Sequence, residues 1–279
     1  MALSDTSPAV VYYDIAFSQP YEKSTSAPNP WKARYALNMK GISYKTTWVP
    51  MLEISNIRQK VGAPACRKFA DGTDYYTLPM LTDSTTNAVV GDSFDIALYL
   101  QKQYPNSGAC ADLFAAQKLD FKYALQTPLM VPLSERDEGE FGEYVRFNTN
   151  IDAAFTAHVL LMAGGMPFEQ SQMEGIQAEF ARRSGGASSK NFSFGEEDRV
   201  KMMVSFREAV ADLATLLNQD QSGPFILGHR SSYADCIVGG WLRMMKVTLP
   251  SAEWEEVMGW YDGVFERLYL GLEQFAEVK

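Results

Sequence analysis

Residues 9–17, Ala-Val-Val-Tyr-Tyr-Asp-Ile-Ala-Phe, make an apolar run rich in Val and Tyr whose length and branching predict a buried strand. Residues 18–29 are crowded with Ser, Pro and Gln and predict a loop. Pro28-Asn29-Pro30 then opens a helical pattern over residues 31–40 that Gly41 stops; proline is tolerated in a first turn, and glycine suits the position after a last one. Residues 44–49 predict a second strand, and residues 51–60 a second helix closed by Gly62. Residues 76–83, Tyr-Thr-Leu-Pro-Met-Leu-Thr-Asp, read as a strand interrupted by proline. Residues 89–96 read as a strand entering a helix that ends near Tyr104-Pro105. The order so far is β-α-β-α-β-β-α.

After residues 105–108, a Pro-Asn-Ser-Gly linker, the pattern turns helical with one exception. Residues 119–133 carry Pro128 and Pro132, which no helix interior accepts together, so this segment is expected to be extended. Residues 143–162, 167–183 and 196–217 predict helices, the first with Tyr144, Phe147, Ile151, Phe155 and Val159 spaced for one face. Residues 184–195, rich in Gly and Ser, predict a mobile connection. Ser232 and Asp235 stand three apart before an apolar run, the spacing of a capping box. Residues 254–274 supply a last helix.

Composition narrows the classes. At 279 residues and 46% apolar content the chain suits two domains, expected at residues 1–104 and 109–279. No window reaches eighteen uninterrupted apolar residues, and the first eight lack a basic region and an apolar run, which predicts a cytosolic protein. Cys66, Cys110 and Cys236 are odd in number and widely spaced and only His158 and His229 are present, so neither a disulfide framework nor a metal site is expected. A net charge of -9, carried almost wholly after residue 107, disfavours nucleic acid or an anionic membrane as partner.

The candidate chemistry gathers around the proline strand. Proline has no N–H for a ladder, so Pro79 implies an edge position or a tight, cis X-Pro bend that leaves the Leu78 backbone available. Gly91-Asp92-Ser93, at a helix start, offers a carboxylate, a hydroxyl and free N–H groups at a positive helix end. Such a corner suits a peptide carrying both amine and carboxylate. A strand-borne Leu78-Pro79 followed by Asp92-Ser93 resembles the glutathione site of a thioredoxin-like glutathione transferase domain. Leu227-Gly228 with Ser232, Ala234 and Asp235 resembles the segment by which those enzymes enter the central helix of their all-helical domain. Asn29-Pro30-Trp31-Lys32-Ala33-Arg34 and the residues leading to Leu78-Pro79 are similar to the bacterial β-etherase type and the fungal-specific class A.

The resemblance spans essentially the whole chain. It implies an α+β two-domain protein, thioredoxin-like then all-helical, that adds reduced glutathione to apolar aromatic electrophiles in detoxification, as a homodimer and from a fungal source. Leu78 and Pro79 would hold the cysteinyl part, and Asp92 and Ser93 the γ-glutamyl ammonium and carboxylate. Lys45, Arg67 and Lys68 are candidates for the glycyl carboxylate. The activating residue falls at Ala27, which has no hydroxyl; Ser24, Ser26 or Asn29 would have to replace it. With no cysteine before Cys66, thiol-exchange chemistry through a protein thiol is not expected. Tyr144, Phe147, Asn148 and Ile151 are candidates for lining a second-substrate pocket. Two other readings share the fold: a ligandin that stores phenolic or polyaromatic compounds, and an interaction protein without catalysis.

Overall fold

Strand β1 (Val10–Ala16) alternates buried and half-buried positions, burying Val10, Tyr12, Asp14 and Ala16. It pairs in parallel with β2 (Tyr44–Pro50) and antiparallel with β5 (Met80–Asp83), and β5 pairs antiparallel with β6 (Ala88–Gly91). The sheet order is therefore β2-β1-β5-β6. β3 (Arg67–Lys68) and β4 (Asp74–Tyr75) form a separate two-stranded ribbon. Helices α2 (Pro28–Met39), α3 (Ile54–Lys60) and α4 (Ser93–Gln103) complete the thioredoxin-like unit. The computed structural model describes residues 8–69, 71–125, 129, 133, 136–184 and 195–279.

Several expectations shift. The loop over residues 18–29 contains one helical turn, α1 (Tyr21–Ser24), and yields to α2 at Pro28. The strand expected over residues 76–83 begins only at Met80, after a cis Leu78-Pro79 peptide. Because β5 lies between β1 and β6, the edge-strand alternative for Pro79 falls; the proline precedes the ladder.

The second half is helical: α5 (Gly142–Ala157), α6 (Leu160–Ala163), α7 (Met173–Arg183), α8 (Glu196–Ala209), α9 (Ala211–Leu217), α10 (Tyr233–Thr248), α11 (Ser251–Gly259) and α12 (Val264–Leu272). Three helices expected to be continuous are broken, at His158, at Val210 and between Gly259 and Val264, where Tyr261 and Asp262 take positive φ. Residues 119–125 adopt neither strand nor helix, with Leu119 and Phe121 buried; Pro128, Pro132 and residues 185–194 lie outside the described residues.

α10 is the hub, buried along nearly its whole length. Its expected capping box is present: Asp235 accepts the Ser232 N–H at 2.7 Å and, with its other oxygen, the Ile226 N–H at 2.9 Å. Burial pushes the Asp235 carboxyl up to about 6. α10 packs on α2 so closely that a Cβ at Gly240 would lie 2.5 Å from the Pro28 carbonyl oxygen. The helical half is thereby fixed against the first turn of α2.

Candidate active site

The first turn of α2 has few donors. Pro28 and Pro30 carry no N–H, so Asn29 supplies the backbone amide at this positive helix end, with no acceptor among the described residues. The N-cap is Ala27, which has no side chain to cap with. The loop ahead of it is held by a buried network in which Thr25 Oγ1 and Arg34 Nη2 both donate to Asp14 Oδ2, at 3.0 and 2.6 Å. Trp31 Nε1 donates to the Thr25 carbonyl at 2.9 Å. This anchoring separates the two candidate serines. Ser24 donates its hydroxyl to the Ser18 carbonyl at 2.5 Å and does not line the cavity described next. Ser26, only 1% exposed, does line it, and its hydroxyl has no hydrogen-bond partner among the described residues.

That cavity, of about 280 Å³, brings Ser26 and Asn29 together with Leu78, Pro79 and Asp92. Leu78 offers its N–H and C=O with no backbone partner among the described residues. Its position is set from behind by Arg58, fully buried, whose guanidinium donates to the Thr77 carbonyl at 2.7 Å and to the Pro64 carbonyl at 2.8 Å. Gly91 stands against this guanidinium; a Cβ there would come within 2.2 Å of Arg58 Nη2, so the site needs glycine at the end of β6.

Asp92 is the N-cap of α4 and accepts the Phe94 N–H at 2.9 Å. Arg136 crosses over it, with Nη2 3.3 Å from Asp92, Nη1 2.6 Å from Asp95, and its guanidinium over the Phe94 ring. The Asp92 side chain is 29% exposed yet faces a cavity walled by protein, and that enclosure raises its carboxyl above the usual range against the pull of Arg136. A small chamber of about 30 Å³ adjoins it, lined by Asn29, Asp92, Ser93, Arg136, Asn148 and Asp152 among others. Both signs of charge and a helix N-terminus meet there, which fits a zwitterion. Arg136 had no signal in the sequence; it stands 44 residues from its partner.

On the helical wall the structure chooses a different face of α5 from the one expected. Tyr144, Phe147 and Ile151 are buried in the core and line neither chamber, Tyr144 donating its hydroxyl to the Ala115 carbonyl at 2.7 Å. Asn148 lines the small chamber, Asp152 both, and Thr156 the large one. Phe168, Phe180, Trp241 and Met244 supply apolar wall.

The basic candidates sort as clearly. Lys68 is exposed and paired with Asp74 at 2.7 Å, and Lys45 is exposed on β2; neither lines the cavity. Arg67 does, its guanidinium 4.1 Å from the centre of the Tyr75 ring. Arg183, unanticipated, reaches the same ring from α7 at 5.0 Å and donates to the Tyr76 carbonyl at 3.3 Å. Cys66 lines the cavity as well. Among the described residues no three His, Cys, Asp or Glu side chains gather as a metal would require. No helix among them is long and apolar enough to cross a membrane.

A thioredoxin-like unit with a cis-proline corner, facing helices built round a capped central helix, is the architecture of the glutathione S-transferases, and the chain belongs to that family. Residues 27–103 match the glutathione S-transferase N-terminal domain and residues 147–275 the C-terminal domain. A glutathione S-transferase of Ceriporiopsis subvermispora, solved in complex with glutathione, is similar at 27% identity and a TM-score of 0.79, over 97% of this chain and 99% of that one. The glutathione S-transferase-like protein ustS of Aspergillus flavus is 24% identical over 287 residues, 95% of this chain and 90% of that protein. The β-etherase LigF of Sphingobium shares the fold, at 14% identity and a TM-score of 0.53 over 96% of this chain and 98% of its own. The family's co-substrate is glutathione.

Proposed function

We propose that the protein is a transferase in which Ser26 and Asn29 activate the thiol of reduced glutathione and the large cavity presents an apolar aromatic electrophile to the thiolate. One observation carries this reading: Ser26, a buried residue whose hydroxyl has no hydrogen-bond partner among the described residues, lines the cavity together with Asn29, whose backbone N–H has no acceptor among them. A thiol near a pKa of about 8.5 is mostly protonated at neutral pH, and a donated hydrogen bond with the helix dipole favours the thiolate. Leu78 takes the cysteinyl backbone as an added strand takes its neighbour. Asp92 and Ser93, with Arg136, receive the γ-glutamyl end. Arg67 and Arg183 flank the opposite end, where a tripeptide laid past Leu78 puts its glycyl carboxylate.

Ultraviolet difference absorption of bound thiolate against pH tests the activation. The thiol pKa is expected about one unit or more below that of free glutathione. Ser26→Ala should raise it and lower kcat/KM at neutral pH by about tenfold or more, while Ser24→Ala leaves both unchanged. Absence of glutathione binding to the wild type would sink the proposal.

The glycyl end has its own test in the peptide itself. Arg183→Gln is expected to weaken reduced glutathione by about tenfold, the worth of a charge-assisted hydrogen bond, and to leave γ-glutamylcysteine, which lacks the glycine, within a factor of two. Equal losses for both peptides would assign Arg183 to the fold.

A second reading, storage of phenolic or polyaromatic compounds with incidental turnover, is favoured by Ala27 at the N-cap, which moves any activating hydroxyl one residue back. A glutathione thiol with an unshifted pKa in the complex would select it. Detoxification in the cytoplasm as a homodimer belongs to the same proposal through the resemblance, and sedimentation equilibrium checks the dimer.

A further inference from the structure

The helical wall of the large cavity carries one carboxylate, Asp152, among its described residues. Its Oδ1 accepts from Lys32 Nζ at 2.5 Å and from Trp241 Nε1 at 2.7 Å; among the described residues its Oδ2 accepts only the Asn148 amide, at 3.1 Å. Lys32 is fully buried and also donates to Asn148 Oδ1 at 3.0 Å. A carboxylate has about four acceptor positions, so Oδ2 retains one, and the side chain is 15% exposed toward the cavities. The two donors on Oδ1 come from two packed helices, α2 and α10, and hold the carboxylate in place. A buried pair serving stability alone is matched or bettered by apolar side chains. A pair whose carboxylate lines the cavities with an acceptor position to spare presents an oriented acceptor.

We propose that the aromatic second substrate bears a hydroxyl that donates to Asp152 Oδ2, with its ring against Trp241 and Met244. This rests on the reading of the large cavity as the site of the aromatic substrate. Asp152 borders the small chamber as well, where Asp92 stands ready for the γ-glutamyl ammonium, so the test below sets that donor against the phenol. Asp152 thus selects phenols over their ethers, since an ether oxygen can only accept and meets a carboxylate oxygen that can only accept.

The test uses the full-length protein saturated with glutathione, titrated calorimetrically with 4-phenylphenol and with 4-methoxybiphenyl. The wild type is expected to bind the phenol at least tenfold more tightly. Asp152→Asn should abolish that preference. Lys32 and Trp241, both donors, keep the amide oxygen in the Oδ1 position, so the amide NH2 replaces Oδ2 and turns an acceptor into a donor. Glutathione affinity should change less than twofold. Equal affinities of phenol and ether in the wild type would overturn the proposal whatever the variant does. So would an Asn variant that loses glutathione affinity but keeps the phenol preference, which would give Asp152 to the ammonium. Binding of glutathione without either biaryl would refute the cavity reading and this inference with it, whereas loss of glutathione binding refutes the transferase itself.

Discussion

Arg34→Leu lowers the free energy of unfolding by about 3–5 kcal/mol, the usual cost of stripping one partner from a buried ion pair. Arg34 and Asp14 are both fully buried and 2.6 Å apart. Nη1 also donates to Tyr44 at 3.2 Å and to Thr46 at 3.1 Å, and the guanidinium lies over the rings of Tyr12, Trp31, Tyr44 and Trp48. The substitution leaves Asp14 in the core without its cation, with only the Thr25 hydroxyl and the Ile15 N–H as donors among the described residues. Urea unfolding followed by circular dichroism measures the loss. The double substitution Asp14→Asn with Arg34→Leu should lose less than the sum of the two singles, because it removes the orphaned charge. The site feels the change as well: Thr25 is bound to Asp14, and Ser26 and Ala27 follow directly. A variant that keeps full stability would show that the pair contributes only neutral packing.

Asp92→Asn is expected to weaken glutathione by about tenfold to a hundredfold, the range for losing the charged partner of a hydrogen-bonded ammonium. The pH dependence sharpens this. Burial raises the Asp92 carboxyl above its ordinary 3.8, and a bound ammonium would favour the ionised form. Glutathione affinity of the wild type should therefore decline as pH falls through a window that opens above the ordinary carboxylate range, and the Asn variant should be flat there. Stability moves the other way. The native state holds this proton more tightly than the unfolded chain, so the contribution of Asp92 is present below pH 3.8 and is lost as pH rises through the raised native value. Calorimetric titration from pH 4 to 8 separates the two trends. An affinity unchanged in Asp92→Asn would remove Asp92 from the γ-glutamyl site.

Much of the fold was legible because its signals are local. A proline before Met80, glycine after each of the first two helices, and Ser232 three residues before Asp235 act within a single turn of chain, and Gly41 and Gly62 take the positive φ that such helix ends need. The corner formed by Leu78, Pro79, Asp92 and Ser93 was readable for the same reason, since a backbone bend and a helix N-terminus are both written in short spacings. The continuous helices expected over residues 143–162, 196–217 and 254–274 were not, because their breaks follow how each helix packs on its neighbours and leave no proline behind.

The cavity side of the site depended on distance in sequence. α5 has two adjacent stripes; the aromatic one, Tyr144, Phe147 and Ile151, is the more conspicuous and goes to the core, while Asn148, Asp152 and Thr156 meet the chambers. Periodicity establishes that a helix has faces and says nothing of which neighbour each face will meet. Ser24 and Ser26 are chemically alike in sequence and become different when Ser18 claims one hydroxyl.

Sequence alone determined the order of the main strands and helices of the thioredoxin-like unit, the capped entry to α10 and the backbone corner at Leu78, because each rests on conformational preferences of a few neighbouring residues. Only the tertiary structure decided which serine lines the cavity, which face of α5 meets the two chambers, and that Arg136, Arg183 and Asp152, the last held by Lys32, line them. Those contacts join residues 44, 108 and 120 positions apart, and their energies come from burial and charge pairing that no local pattern encodes.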